Sequence, residues 1–517
     1  MRKSRLLVHH LGTRKSSFVN GRSYNSYNNG DCLPSLPLFK QVIGHAASQV
    51  SEKKAIIDFQ AGTRHSYRQL ISDVMKFRKR LLEESGAVGG DLNEARVVFL
   101  CPSGYEYVVA QWSIWSTGGI AVPLCTAHPP PELLYYINDS RASVFVTHPE
   151  FHDLARDIAK DAGIDKLLVI DRKDQKCDHY DSHEFEKPRL IPTDIYRRAM
   201  IIYTSGTSGK PKGVVSTHAN LTAQVKSLVD AWRYTEKDKI LHVLPLHHLH
   251  GILNALTCTL YAGGTVEMMP KFDASEVWNR LMKPERDLTL FMAVPTIYSL
   301  PVITRNEWKE ISGGQILLER YGMSEIGMGL SHEYEVEKRY EESVPLPGVQ
   351  VRLISEDGKD ITDTLEKPGE LQIKGPGVFK EYWNKPAATS KEFTEDGWFK
   401  TGDVAIKTDK EKVFKIHGRS SIDIIKSGAY KISALEVEYE LLSHPNILEV
   451  AVIGIEDHEW GQKVAALESK LDLKQLREFC KTKLASYKVP TMLKVVDELP
   501  RNAMGKVNKR ELIKVFE

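Results

Sequence analysis

The sequence predicts an α/β protein: a large N-terminal region of parallel sheets covered by helices, carrying a β-rich subdomain, followed by a small α+β C-terminal domain. Three observations lead there. From Pro34 onward, short β-rich runs alternate with helical stretches, the rhythm of strands and crossover helices in a parallel sheet. The apolar run Ala199-Met200-Ile201-Ile202 opens directly into a loop of Ser, Thr, Gly and Lys, as where a buried strand reaches the edge of a sheet. A length of 517 residues is enough for two or more domains with sizeable cores. The expected divisions are a leader over 1–30, the large region over 34–417 and the small domain over 418–517.

The leader holds six basic residues (Arg2, Lys3, Arg5, Arg14, Lys15, Arg22) and no acidic one, within a chain of net charge +2. It is rich in Ser and Asn and lacks an apolar stretch of useful length, so it looks like a mitochondrial transit peptide, and the matrix is the expected location. A composition of 42% hydrophobic and 27% charged residues is ordinary for a soluble globular protein and calls for no nucleic-acid or membrane role. Six cysteines are scattered without a Cys-x-x-Cys pair, which suits free thiols in a reducing compartment.

In chain order, strands are expected at Arg96–Leu100, Gly119–Leu124, Ser143–Val146 and Lys166–Ile170, with a helix over Glu106–Trp115. A helix from Asn220 to Ala231 follows the Ser/Gly loop, then a strand at Ile240–Leu244. Leu241 to Val266 lacks Lys, Arg, Asp and Glu, but its histidines, Pro245, Asn254 and glycines fit a buried strand, loop and core helix better than a membrane span. His247, His248 and His250 raise the question of a metal, yet no Cys or acidic residue stands near them in the sequence to complete a tetrahedral set. Leu288–Thr296 reads as a further strand.

The loop Tyr203-Thr204-Ser205-Gly206-Thr207-Ser208-Gly209-Lys210-Pro211-Lys212-Gly213 has the chemistry of a phosphate cradle. Glycines let backbone N–H groups approach an anion, hydroxyls donate, and lysines supply charge. It is no Walker A loop, because two residues rather than four separate Gly206 from Gly209, and Pro211 follows Lys210. Pro211 stiffens the exit, which a free linker would not need.

This loop resembles the phosphate-binding signature of the adenylate-forming superfamily, which contains acyl-CoA synthetases, luciferases and peptide-synthetase adenylation domains. Tyr321-Gly322-Met323-Ser324-Glu325, Gly397-Trp398-Phe399-Lys400-Thr401-Gly402-Asp403, Gly418-Arg419 and Asn502-Ala503-Met504-Gly505-Lys506 resemble later motifs of that family, in the family's order. Within it the chain looks most like the mitochondrial malonyl-CoA synthetases, on Pro245–Gly251, Phe291–Tyr298, Glu319–Met328, Asp423–Lys426 and Lys431–Glu438.

The resemblance implies an ATP-dependent acid–thiol ligase that converts malonate or methylmalonate to an acyl-adenylate, passes it to coenzyme A and supplies malonyl-CoA in mitochondria. It implies ATP, Mg²⁺ and CoA as the accompanying molecules. Thr204, Ser205, Gly206, Thr207, Ser208, Gly209, Lys210, Pro211 and Lys212 would hold phosphates, and Tyr321 would stack near adenine. Glu325 would help hold Mg²⁺, Asp403 would accept from the ribose hydroxyls, and Arg419 would meet ribose or phosphate. Lys506 would reach the carboxylate and α-phosphate during adenylation. Gly418–Asp423 would be the hinge that swaps Lys506 for the Lys426–Lys431 loop. His250 would border the acid, and Arg305 is the nearest cation for its second carboxylate.

The chain departs from the family pattern in several places. Residues 297–320 are too few for the two crossovers expected there, since one takes about a dozen residues with its helix, so a strand and helix are expected to be absent. A charged run over 331–343 replaces a glycine-rich loop, Ala429 replaces a glycine, and the strand near Val464–Ala466 is expected to stop early and clip the small domain's edge. Two alternatives follow: a medium-chain acyl-CoA synthetase, and a catalytically impaired nucleotide-binding homologue.

Overall fold

In the strand Arg96–Leu100, Val97 and Phe99 enter one core with Tyr107, Trp112 and Trp115, while Val98 and Leu100 enter another with Leu133, Ile137 and Ile158. Successive side chains of a strand alternate faces, so this run is a central strand with helices on both sides. The structure, a computed structural model, describes the chain from Cys32 to Phe516 except residues 49–52, 61, 172–184, 205–209, 286, 295–308, 311, 340–342, 410–412, 421, 428–429, 448, 459, 469–471, 482, 497 and 502–506.

Arg96–Leu100 belongs to a seven-stranded sheet. In spatial order the strands are Glu381–Tyr382, Lys212–Thr217, Arg198–Thr204, Ile120–Pro123, Arg96–Leu100, Val144–Thr147 and Leu167–Val169. The last five run parallel, as expected from their apolar runs. A second sheet, of five strands, orders Leu290–Phe291, Lys239–His242, Thr265–Met268, Lys54–Asp58 and Arg64–Ser66. The helix Tyr105–Ser116 is buried along its whole length within the larger core. A helix apolar on nearly every side has nowhere else to go; its Ser113 Oγ donates to Val74 O at 3.0 Å and Trp115 Nε1 to Ala199 O at 2.9 Å.

The Ser/Gly loop does not lead directly into a helix. Lys212–Thr217 forms an antiparallel strand against Arg198–Thr204, with Lys212 opposite Thr204. The helix then starts at His218, two residues before the expected start, because Thr217 and Asn220 form a reciprocal cap. The helix was legible to within two residues; the strand Lys212–Thr217 before it was not.

Leu290–Phe291 forms one edge of the five-stranded sheet. Among the described residues no further parallel strand lies outside it. The next strand, Arg320–Met323, pairs antiparallel with Gly327–Ser331 in a separate three-stranded sheet. Most of the shortened segment, residues 297–308, lies outside the described residues. Charge braces the neighbourhood of that edge: Arg280 Nε meets Glu267 Oε1 at 2.5 Å, Arg280 Nη2 meets Asp287 Oδ1 at 2.7 Å, and Lys239 Nζ reaches both carboxylates. Arg280 and Glu267 are buried. Arg280→Met removes two of the hydrogen bonds on buried Glu267 but leaves it Lys239, so it is expected to cost about 1–3 kcal/mol, measured as a lower urea midpoint.

Gln350–Ile354, Gly369–Lys374, Phe399–Asp409 and Val413–Arg419 form an antiparallel four-stranded sheet, the β-rich portion. After Arg419 the chain enters another sheet, built from Ile424–Ser427, Tyr430–Ser433, Ala451–Asp457, Gly461–Glu468 and Met492–Val495. Here one expectation is corrected. The strand thought to stop near Ala466 runs to Glu468 and is interior, paired with Ala451–Asp457 on one side and Met492–Val495 on the other. Ala465 and Leu467 are buried in one core and Val464 and Ala466 in another, so a strand that looks too small in sequence is held by partners on both sides.

Candidate active site

The pairing of Phe399–Asp409 with Val413–Arg419 sets Asp403 opposite Arg419. Arg419 Nε lies 3.3 Å from Asp403 Oδ1, and Tyr321 O–H donates to Asp403 Oδ2 at 2.6 Å. Asp403 is buried, at 6% exposure, whereas the Arg419 side chain is 40% exposed. Solvent weakens such a pair, so its main effect is to aim the carboxylate rather than to stabilise the fold. Burial, with Asp403 beside it, holds the Tyr321 phenol protonated well above its usual range.

Glu325 lies two residues after the strand that carries Tyr321. Its carboxylate accepts from Tyr382 O–H at 2.8 Å. Burial raises its pKa; the Tyr382 hydrogen bond, Arg419 and Lys212 pull the other way without winning. A buried carboxyl held above its ordinary range, with a phenol as its hydrogen-bond partner, is a group that a divalent cation would return to its charged form. The residues present therefore fit Mg²⁺. Lys212 Nζ sits 4.7 Å from the Tyr382 ring centroid and is one of the charges that act on Glu325.

A set of tyrosines underlies the hairpin of the Ser/Gly loop. Tyr135 O–H donates to Pro211 O at 2.8 Å, and Lys210 Nζ lies 5.5 Å from the Tyr135 ring. Tyr203 packs on Tyr136 at 4.6 Å between centroids and donates to Asp139 Oδ2 at 2.8 Å. Thr204 and Lys212 thus face each other across the paired strands, with Lys210 and Pro211 just before Lys212. Ser205, Gly206, Thr207, Ser208 and Gly209, with Lys506 and Arg305, lie outside the described residues, as do Gly428 and Ala429 of the Lys426–Lys431 loop.

The histidine loop closes on itself. His242 Nε2 is 3.0 Å from Gly251 O, and a Cβ at Gly251 would stand 2.4 Å from Pro245 O. Only glycine fits such an approach between backbones. Gly251→Ala is expected to open this loop and cut acid-dependent turnover at least ~10-fold while leaving ATP-dependent thermal stabilisation in place; steady-state kinetics and a thermal scan with ATP check it. From Gly251's neighbour, a helix with i→i+5 bonding runs over His250–Thr257 and continues as Cys258–Ala262, a form often found at functional sites.

His250 is met by a residue whose role the sequence reading missed. Arg320 places Nε 3.1 Å and Nη2 2.5 Å from His250 Nε2, and Nη2 also lies 3.3 Å from Ala293 O. Burial, then Arg320, hold His250 well below the usual imidazole range, so it stays neutral and accepts through Nε2. The available signal was that Arg320 immediately precedes Tyr321; nothing in the sequence showed it reaching back 70 residues to the histidine loop.

At Gly418 the backbone has φ +116°, and a Cβ there would lie 2.6 Å from Asp423 Cβ. Asp423 accepts from Arg419 N at 3.1 Å and from Lys509 Nζ at 2.7 Å, and Lys509 also bridges to Glu438 at 2.7 Å. Burial would lower the Lys509 pKa, but the two carboxylates outweigh it and hold the ammonium charged. Lys509→Met is expected to leave two carboxylates facing each other and to lower stability by ~3 kcal/mol, read by denaturant melting.

A carboxylate aimed for hydroxyls, a buried glutamate beside cations and a cation-rich hairpin lie close enough to influence one another, the layout of an enzyme that activates a substrate on a nucleotide. The chain belongs to the AMP-binding enzyme family: that family matches residues 43–302 and 299–383, and the AMP-binding enzyme C-terminal domain matches 436–506. The two N-terminal pieces meet at 299–302, inside the shortened segment.

The chain is 41% identical over 548 residues to the human protein named malonate–CoA ligase ACSF3, mitochondrial, covering 93% of this chain and 92% of that one. It is 36% identical over 550 residues to a malonate–CoA ligase of Arabidopsis thaliana, covering 92% and 89%. The ATP-bound crystal structure of MatB from Rhodopseudomonas palustris superposes with a TM-score of 0.79 at 30% identity, over 93% of this chain and 98% of that one.

Proposed function

We propose that this protein is a malonate–CoA ligase: it joins malonate to AMP using ATP, releasing pyrophosphate, and then transfers the malonyl group to the thiol of CoA, releasing AMP. The observation that carries the substrate is the Arg320–His250 pair at the mouth of the second sheet. A dicarboxylate brings a second anion that needs a cation once desolvated, and a guanidinium offers it a two-pronged set of donors. Arg320, in place of Arg305, is the cation assigned to that carboxylate, with neutral His250 holding the guanidinium in position.

Both reactants of the first step are anionic, so the protein must align them and offset their repulsion. Lys210 and Lys212, with the loop 204–209, take the phosphates; Tyr321 borders the base; Asp403 accepts from the ribose, with Arg419 turned toward it. Lys506 joins the acid's oxygen and the α-phosphate. Glu325 would hold Mg²⁺, which when bound supplies charge neutralisation for the phosphate oxygens. The small domain, beginning near Gly418, turns about Arg419–Asp423 to admit CoA.

Mitochondrial placement, in the matrix, is supported by the basic leader and by the mitochondrial names of the animal relatives. Residues 1–40 fused to a fluorescent protein should direct it to mitochondria; a diffuse signal would remove the assignment.

The decisive test is ATP–pyrophosphate exchange with malonate, alongside methylmalonate, acetate and octanoate. Exchange with malonate and not octanoate is expected. The shortened segment favours one competing reading, a nucleotide-binding homologue without turnover: it would show ATP-dependent stabilisation and no exchange with any acid.

A further inference from the structure

The histidine loop, which in the sequence lacked partners for a metal, acquires them through the fold. Cys125 follows the strand Ile120–Pro123 of the first sheet, His128 closes the turn after it, and His247 arrives from the loop after Lys239–His242 of the second sheet. One ligand atom from each lies within 4.8 Å of the other two. The imidazoles of His128 and His247 meet edge to face at 5.6 Å between centroids.

Three features of this cluster go unused by the chemistry above. His128 Nδ1 is buried without a hydrogen-bond partner. The nearest carboxylate, Glu132, stands 3.5 Å from it and is itself engaged by Tyr136 O–H. Cys125 is a free thiol, buried at 9% exposure. Each imidazole, in its neutral form, offers a ring-nitrogen lone pair to a ligand.

We infer that Cys125, His128 and His247 form a binding site for a zinc-class divalent cation, with a fourth position open to water. Two imidazole nitrogens and one thiolate suit that class by softness and geometry. Tetrahedral bonds of about 2.0–2.3 Å put ligand atoms roughly 3.3–3.6 Å apart, so the three groups need draw in by only about 1 Å. Binding breaks the S–H bond, forms a metal–sulfur bond and releases the proton to solvent. The bound cation would fasten the Cys125–His128 turn of one sheet to the histidine loop of the other, three residues before His250.

The test uses untagged, reduced, chelator-stripped full-length protein titrated with Co²⁺. One equivalent should produce a thiolate-to-metal charge-transfer band, release one proton and be displaced by Zn²⁺. Cys125→Ser should lose the band and at least ~100-fold in Zn²⁺ affinity, while Cys32→Ser keeps both. ATP-dependent thermal stabilisation, unchanged in Cys125→Ser, shows that the variant is folded; if it is lost, Cys125→Ala is read in its place. No band at one equivalent, or a band that survives both Cys125 substitutions, overturns the site.

Discussion

Lys506→Ala is expected to lower malonate-dependent ATP–pyrophosphate exchange by about 10²–10³-fold, the loss that follows removal of one oriented donor from a charge-developing transition state. Thioester formation from supplied malonyl-adenylate and CoA should remain near the wild-type rate. The asymmetry follows from the chain's construction: Lys506 sits in the sequence beyond the sheet of residues 424–495, while the phosphate hairpin, Asp403 and Glu325 all precede Gly418. On the proposed turn about Arg419–Asp423, a lysine carried by the small domain would serve one half-reaction and leave for the other. Stopped-flow measurement of each half-reaction separates the cases, and an equal loss in both would refute the turning scheme.

Arg320→Met is expected to reduce kcat/KM for malonate by about 10²–10³-fold, corresponding to roughly 3–4 kcal/mol for leaving a buried anion unpaired. Propionate, with a methyl group in place of the second carboxylate, should lose far less or gain. His250→Gln keeps an acceptor for the guanidinium and should fall between. Arg305→Ala is expected to leave malonate turnover unchanged. If instead Arg320→Met lowers kcat/KM for malonate and propionate equally, Arg320 acts by holding the histidine loop and not by recognising the second carboxylate.

Mg²⁺ dependence should carry the signature of Glu325. Its carboxyl is raised by burial, so the metal competes with a proton held more firmly than on a free glutamate. Apparent Mg²⁺ affinity is therefore expected to rise with pH from the acid side, with the rise displaced upward from the ordinary glutamate range. Glu325→Gln should abolish that dependence. In the metal-free protein the linkage has the opposite sense to a salt-bridged carboxylate: a raised folded pKa means stability falls as pH climbs from the unfolded glutamate pKa through the folded one.

Much of this was legible before any coordinates. Apolar runs such as Arg96–Leu100 and Val144–Thr147 declare buried parallel strands because each residue must face a core whichever way it points. The Ser/Gly/Lys loop declares phosphate chemistry because few other uses need that combination of hydroxyls, bare backbone and charge. The shortened stretch before Arg320 could be read by counting, since a crossover has a minimum length. The strand Lys212–Thr217 escaped notice because its identity comes from the neighbour it pairs with, and the full length of Gly461–Glu468 did so for the same reason.

Local order of residues was therefore enough for the fold class, the family motifs and the phosphate loop, all of which depend on neighbours in the chain. It could not reveal which distant side chains share a space. Arg320 on His250, Tyr321 on Asp403, and Cys125 with His128 beside His247 are meetings between separate loops and strands. Their positions follow from how the sheets pack and how strands register, and a single slip of register would turn each side chain to the opposite face. Motif chemistry is written along the chain; the acid's counter-charge and the cysteine–histidine cluster exist only once the separate strands and loops have been brought together.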